Sequence, residues 1–210
     1  MADKPLVSVI TPTWQRPVAL SRAIESVCAQ TYQPVEHIIV SDGPDPKLES
    51  AFSGPALMDN VFDGADYSHV RYAQLEEKDP FRWGHLARLR GIEMAKGEFI
   101  AWLDDDNAYR PQHLERVVGQ LLASPGAGFG YAKSLFRDRG TDYELGVMPP
   151  QYAQIDTSQI VHRREILEFA TWRDEGQETI EWDLVDRWMK AGVGWTFVPE
   201  VTVDNYQTRA

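Results

Sequence analysis

The sequence holds one cysteine, Cys28, so an internal disulfide is excluded and a reducing compartment fits. Basic residues are outnumbered, 21 lysines and arginines against 32 aspartates and glutamates, for a net charge of -11. That balance excludes nucleic-acid binding through a broad basic surface and leaves room for an anionic nucleotide in a local pocket. No apolar run approaches the length needed to cross a bilayer. The stretch Met1 to Pro5 has neither the charged nor the apolar region of a secretory signal. These absences predict a cytoplasmic protein, with peripheral association at a membrane surface left open. Internal repeats and low-complexity linkers are also missing. What remains is a globular composition, of a length that suits one domain with ample core.

The stretch that stands out is Phe99 to Asn107, where the apolar run Phe99-Ile100-Ala101-Trp102-Leu103 ends abruptly in Asp104, Asp105 and Asp106. The run reads as a buried strand. An open α/β sheet binds its ligands just beyond the carboxyl ends of such strands. Three adjacent carboxylates repel one another, and the repulsion is relieved when a cation is shared. Mg²⁺ or Mn²⁺ suits that role, because it takes one or two carboxylates and completes its shell with water and substrate phosphate. The competing reading is a solvated acidic turn.

Two earlier segments repeat the pattern. Leu6 to Ile10 reads as a buried strand that Pro12 stops, leaving the hydroxyls of Thr11 and Thr13 at its end. A helix follows, with Pro17 in its first turn and Leu20, Ala23, Ile24, Val27 and Cys28 along one apolar face, which makes Cys28 a core residue and not a nucleophile. His37 to Val40 is the second strand, and the turn Ser41 to Pro46 carries Asp42. That carboxylate either caps the turn or takes the place where nucleotide-binding sheets put an acid against a ribose or base.

Glu49 to Tyr67 predicts no more than one short helix, and His69 to Leu75 predicts a third strand. Gly84 to Lys96 predicts a helix packed through Leu86, Leu89, Met94 and Ala95 and capped by Gly97. Its Arg88 and Arg90 either grip a diphosphate or pair with Glu93 and Glu98. Pro111 opens a helix with Leu114, Val117, Val118, Leu121 and Leu122 in register. Beyond it, Gly128 to Phe136 and Tyr143 to Val147 predict a hairpin around an Arg137 to Thr141 turn. Ile160 and Val161 suggest a short strand, and Arg163 to Ala170 a helix. A last helix starts near Glu181 and Asp183, with Leu184, Val185, Trp188 and Met189 on one face, and two short strands close the chain around Pro199. Acids at a helix start also favour the helix dipole, which is the structural reading of Glu181 and Asp183.

Strand tips bearing Thr11 and Thr13, Asp42, and Asp104 to Asp106 each have a bland explanation, but their joint appearance at one sheet edge does not. Together these residues resemble a GT-A fold, family 2-type nucleotide-sugar glycosyltransferase. The resemblance rests on Val7 to Trp14, Ser26 to Tyr32, Ile38 to Gly43, Ala87 to Gly91, Lys96 to Asn107, and Glu181 to Leu184 with Gly192. It covers nearly the whole chain, best over residues 6–124.

The resemblance implies an α/β nucleotide-binding fold with a central, mostly parallel sheet flanked by helices and a mixed second half. It implies one catalytic domain over residues 1–210, with 6–107 holding the nucleotide sugar and 108–210 the acceptor. Thr11 and Asp42 would hold the nucleobase and ribose, with Thr13 beside them. Arg88 would contact the nucleotide or diphosphate, Asp104 and Asp105 would lie by the donor, and Asp106 would bind Mn²⁺ or Mg²⁺. Glu181 or Asp183 would be the general base, with Glu181 preferred. Trp182 would stack on a sugar face, and Trp83 and His85 either line the same cleft or serve as core and cap. His162 either adds a metal or phosphate contact or is a packed histidine. The partners implied are a nucleoside-diphosphate sugar of the UDP type and a glycan, glycolipid or other hydroxyl acceptor, with the oligomeric state open.

Three positions depart from the family's pattern. Ser41 stands where a second acid is frequent, Leu89 where an asparagine is common, and Ile180-Glu181 where the usual pair is Glu-Asp. Those departures keep open a catalytically inactive nucleotide-sugar-binding or assembly protein. A nucleotidyltransferase is disfavoured, since Thr11 to Arg16 has no glycine with which to cradle a triphosphate.

Overall fold

The computed structural model describes residues 4–53, 67–79, 84–138, 141–172 and 180–206. Strand β1 (Val7–Thr13), helix α1 (Pro17–Cys28), β2 (Val35–Ser41), α2 (Pro46–Ser53) and β3 (Val70–Gln74) form the first half, with α3 (His85–Met94) and β4 (Phe99–Trp102). The second half holds β5 (Asn107–Tyr109), α4 (His113–Ala123), β6 (Ala127–Asp138), β7 (Thr141–Leu145), β8 (Ile160–Arg163), α5 (Ile180–Lys190) and β9 (Gly194–Tyr206). Among the described residues one sheet takes all nine strands in the order β3-β2-β1-β4-β8-β6-β9-β5, with β7 beside β6.

The first four strands are mutually parallel, β8 joins β4 antiparallel, and the rest is mixed. The expected α/β class therefore holds. Alternation decides which helix covers which face. Val7, Val9, Phe99, Ala101 and Leu103 pack with α1 and α4, through Ala23, Val27, Leu114, Val117, Val118 and Leu121. Ile10, Ile38, Ile100 and Trp102 pack with α3 and α5, through Ala87, Leu184, Val185 and Trp188. Burial on both faces explains why these strands read as unbroken apolar runs. No helix among the described residues is long and apolar enough to cross a membrane.

Several expectations needed correction. Strand β1 does not stop at Pro12, which stays in register opposite Val40. Thr13 O accepts from Asp42 N–H and Ile10 O accepts from Leu103 N–H, so odd positions face β2 and Pro12 faces β4. By then β4 has ended at Trp102, and no ladder bond is lost. Helix α3 packs through Leu89, Met94 and Ala95 as expected, yet the residues it buries also include His85, Ala87, Arg88 and Gly91, which the sequence reading did not pick out. Gly97 is required by close approach and not by a helix cap, since a Cβ there would lie 2.6 Å from Ser8 N. Leu122 points to solvent at 46 % exposure. Arg164–Glu168 is a 3-10 turn. The two closing strands are one, β9, in which Val198 opposes Ala132 and Val201 opposes Lys133, so Pro199 and Glu200 form a bulge.

Candidate active site

Strands β1, β2 and β4 are parallel, so their carboxyl ends meet at one edge of the sheet. That edge opens into a cleft of about 560 Å³, lined by Thr13, Trp14, Arg16, Asp42, Lys78, Arg88 and Asp104 to Asp106, with Pro12 and Gly84 at its wall. The structure thus brings together Thr13, Asp42, Arg88 and the three aspartates singled out in the sequence.

The acidic turn is pinned from below. Asn107 N–H donates to Asp104 O at 3.0 Å, and Ser158 Oγ accepts from both Asp104 N–H (3.0 Å) and Asn107 Nδ2 (2.8 Å). The three carboxylates then diverge to different partners. Asp104 accepts from Arg88, whose guanidinium also lies 4.9 Å from the centre of the Trp172 ring. Asp105 accepts from Thr13 Oγ1 at 2.8 Å and from Arg16 Nη1 at 3.1 Å. Asp106 accepts from the same Arg16 nitrogen at 3.2 Å, and its backbone carbonyl accepts from Arg22 at 2.9 Å. Burial pushes the Asp105 carboxyl up to about 6; Thr13 and Arg16 oppose the shift, and Asp106 and Asp104 add to it.

At the other side of the cleft, burial also raises Asp42, against the pull of the Lys78 ammonium and the Asp79 N–H. Lys78 Nζ stands 3.4 Å from Asp42 and 4.2 Å from the centre of the Trp14 ring. Gly84 opens α3 with a left-handed φ of 65°, and a Cβ there would press on Pro12 at 3.0 Å.

Glu181 sits in the first turn of α5. Its carboxyl is raised mainly by burial, then by Asp104, with Arg88 opposing, which places it electrostatically against the same acid-arginine pair. A carboxylate that sequence reasoning missed, Asp156, joins this group. It caps a 3-10 turn (Thr157–Gln159) by accepting from Ser158 N–H at 3.1 Å. Its own carboxyl is pushed well up by burial and by the charges of Asp104 and Glu181. The Asp-x-x-Gln capping box from Asp156 to Gln159 was the available signal for the turn. Arg16, Trp14 and Lys78 were also missed; Trp14 ends the Val7 to Trp14 stretch that carries the resemblance, whereas nothing local in the sequence marks Arg16 or Lys78.

Other candidates lie elsewhere. Thr11 is fully buried and its hydroxyl meets His37 Nε2 at 2.9 Å, so it stands behind the cleft wall. His162 is a core residue: it is fully buried, its ring lies against Trp102 and Trp188, and its Nδ1 meets Arg163 O at 2.8 Å. Burial lowers it to about 4. It does not line the cleft. Asp183 is bound by Arg187 at 2.9 Å, which also donates to Thr171 O. Trp182 meets Tyr152 edge-on, with ring centres 6.4 Å apart. Arg90 pairs with Glu93, as its structural reading held. His85 is buried, with its N–H on Asp79, and Trp83 falls outside the described residues.

The fold defines the class. S. aureus TarS superposes with a TM-score of 0.69 at 14 % identity, covering 95 % of this chain and 36 % of that one. Mannosyltransferase PcManGT of Pyrobaculum calidifontis, solved with GDP-Man and Mn²⁺, gives 0.66 at 14 % identity over 98 % of this chain and 57 % of that one. The architecture is therefore the GT-A glycosyltransferase fold. The family follows from the sequence: the family model "Glycosyl transferase family 2" matches residues 8–167, and the chain belongs to that family.

Among curated relatives, the glucosyl-dolichyl phosphate glucuronosyltransferase of Haloferax volcanii is 32 % identical over 121 residues, 58 % of this chain and 35 % of that protein. The putative colanic acid biosynthesis glycosyl transferase WcaA of Escherichia coli is 28 % identical over 175 residues, 82 % of this chain and 58 % of that protein. The chain thus spans less than two thirds of the length of these relatives.

Proposed function

We propose that the chain transfers a sugar from a nucleoside-diphosphate sugar to an acceptor hydroxyl, with inversion at the anomeric carbon. The observation that carries this reading is the meeting of Asp42, Arg88 and the Asp104 to Asp106 turn around one cleft, with the Glu181 carboxyl close enough to feel the charges of Asp104 and Arg88. A solved complex of S. aureus TarS with UDP, at TM-score 0.68 and 16 % identity, supports a UDP-type donor. The PcManGT complex makes a guanosine donor the other outcome to test.

Asp42 receives the nucleobase or ribose beside Trp14 and Lys78, and Arg88 faces the diphosphate. Residues 6–107 form the donor half and 108–210 the acceptor half. Among the described residues no three metal-ligating side chains converge into a cage. An ion that keeps its waters and takes phosphate oxygens needs one or two carboxylates, and the Asp105–Asp106 pair already holds a cation, the Arg16 guanidinium. The residues therefore fit Mn²⁺ or Mg²⁺ on Asp106, with Asp104 or Asp105 as a second donor. Such an ion supplies Lewis-acid stabilisation of the departing diphosphate.

The chain's own part is the proton and the orientation. Glu181 takes the proton of the acceptor hydroxyl as the oxygen bonds to the anomeric carbon and the carbon–phosphate oxygen bond breaks. Attack from the face opposite the diphosphate inverts the centre. Glu181 suits the role better than Asp183, because its raised affinity for protons makes it a stronger base and Asp183 is engaged by Arg187. Trp182 flanks the acceptor. Working at a membrane surface, peripherally, suits a glycolipid acceptor.

Calorimetric titration with UDP, GDP and dTDP, each with Mn²⁺ and with EDTA, tests the reading. Metal-dependent binding of one diphosphate, lost in Asp106→Ala, is expected. No binding under any condition overturns it.

A further inference from the structure

Arg16 occupies a position that suits neither its helix nor its charge. It is the N-cap of α1, where Ser, Thr, Asp or Asn is favoured, and its side chain makes no capping bond. A cation there faces the positive end of the helix dipole. The residue before it, Gln15, adopts a left-handed φ of 54°, which turns the chain back over the acidic strand tip. What holds Arg16 in place is the acidic turn: one nitrogen, Nη1, lies 3.1 Å from Asp105 Oδ1 and 3.2 Å from Asp106 Oδ2. The Arg16 side chain remains 45 % exposed, so it has room to leave.

We propose that Arg16 is a placeholder for the divalent cation: it neutralises Asp105 and Asp106 until a metal binds, and swings onto the donor's diphosphate when the metal takes Asp106. The inference rests on the glycosyltransferase reading for its second step. The guanidinium already holds one oxygen of each carboxylate and would repel a divalent ion on Asp106, so metal and guanidinium compete. The competition ends when a diphosphate arrives, because it brings the negative charge that the displaced guanidinium needs. Arg16 and Arg88 line the same cleft and would then grip the diphosphate from two sides. Metal and nucleotide consequently enter together, and metal alone binds poorly.

One substitution should move the two ligands in opposite directions. An opposite charge within contact distance shifts the balance at a carboxylate by about 1–3 log units. Arg16→Ala should therefore bind Mn²⁺ alone about tenfold more tightly than wild type, read by electron paramagnetic resonance of free Mn²⁺ against the full chain. With Mn²⁺ saturating, the same variant should bind UDP or GDP about tenfold more weakly, by calorimetry. Circular dichroism checks folding, and Arg16→Gln, which keeps length and loses charge, should behave as Arg16→Ala does. Mn²⁺ affinity that is unchanged or weaker in both variants overturns the placeholder, as does the absence of Mn²⁺ binding in all three proteins. If no nucleoside diphosphate binds wild type, the donor reading fails instead, and the comparison with Mn²⁺ alone still decides whether Arg16 competes with the metal for Asp105 and Asp106.

Discussion

Arg88 Nη2 donates to Asp104 Oδ1 while its guanidinium covers the face of Trp172, tying α3 to the acidic tip of β4. The Arg88 side chain is only 7 % exposed and that of Asp104 is 25 % exposed, so the pair is mostly desolvated. Truncating one member leaves the other charge without its countercharge. Arg88→Ala should lower stability by about 2–4 kcal/mol, read as a reduced urea midpoint. Nucleoside diphosphate affinity should fall by about tenfold or more, because the phosphate contact proposed for Arg88 would be lost too. Arg88→Lys should restore part of the stability and little of the binding, since an ammonium has no fork. Unchanged affinity in Arg88→Ala would remove Arg88 from the donor site.

Glu181 and Asp183 separate cleanly by substitution. Glu181→Gln should lower turnover by about 10²–10⁴ and leave diphosphate affinity near wild type. Asp183→Asn should lose the Arg187 pair, worth about 0.3–0.5 kcal/mol, and keep most of its turnover. The pH profile adds a sign. A general base works unprotonated, and burial together with Asp104 raises the Glu181 pKa above the ordinary 4.5. The acid limb of kcat/KM should therefore lie above that of an exposed glutamate and disappear in Glu181→Gln. A dead Asp183→Asn beside a fully active Glu181→Gln would transfer the role to Asp183.

What the sequence made legible follows from how far a signal reaches along the chain. β1, β2 and β4 announced themselves as apolar runs, because both faces of the sheet are covered, and α1 and α4 by clean helical periodicity. Helix α3 hid its face, because the residues it buries deepest, His85, Ala87, Arg88 and Gly91, are polar or small and draw no apolar stripe. The acids at the strand tips were visible as an abrupt break in hydropathy. Their partners were not: Arg16 lies 89 residues from Asp105 and 90 from Asp106, and pairing across that distance leaves no local pattern. Thr11 and Thr13 looked equivalent in sequence. The sheet separates them, since Thr13 reaches the edge and Asp105 while Thr11, two residues earlier, is sealed against His37.

Three fully buried imidazoles set an acid limit on stability. Burial lowers His37 and His113 to about 3 and His162 to about 4. The unfolded chain takes up these protons near pH 6.5, and the folded chain does not until much lower pH. Stability from this source is therefore complete above about pH 6.5 and is lost as pH falls toward the folded values. Each imidazole contributes about 1.4 kcal/mol per pH unit across that window. The carboxyls of Asp42, Asp105, Asp156 and Glu181, raised by burial, act in the opposite sense, because the folded chain keeps their protons to higher pH, so the histidine share is read as a difference between proteins. The fall in urea midpoint between about pH 7 and about pH 5 should be smaller in His162→Phe than in wild type, and equal falls would mean that this ring is charged or solvated in the native protein.

Gly91 sets two opposing effects against each other. It lies inside α3, where alanine is the better helix former by about 0.8–1.0 kcal/mol. A Cβ at this position would stand 2.4 Å from Ile10 Cγ2, far inside contact distance. Ile10 is fully buried in β1, and its β-branched side chain is stiff at χ1. Overpacking of this kind costs about 1–3 kcal/mol, so it outweighs the propensity gain. Gly91→Ala should therefore destabilise the protein in urea, and, because α3 carries Arg88, diphosphate binding should weaken as the helix lifts from the sheet. Ile10→Val keeps Cγ1 and Cγ2 and should not relieve the clash, whereas Ile10→Ala removes both and should recover the affinity lost in Gly91→Ala. A Gly91→Ala protein more stable than wild type would show that the helix is free to shift on β1, and that its position is not what sets Arg88 against Asp104.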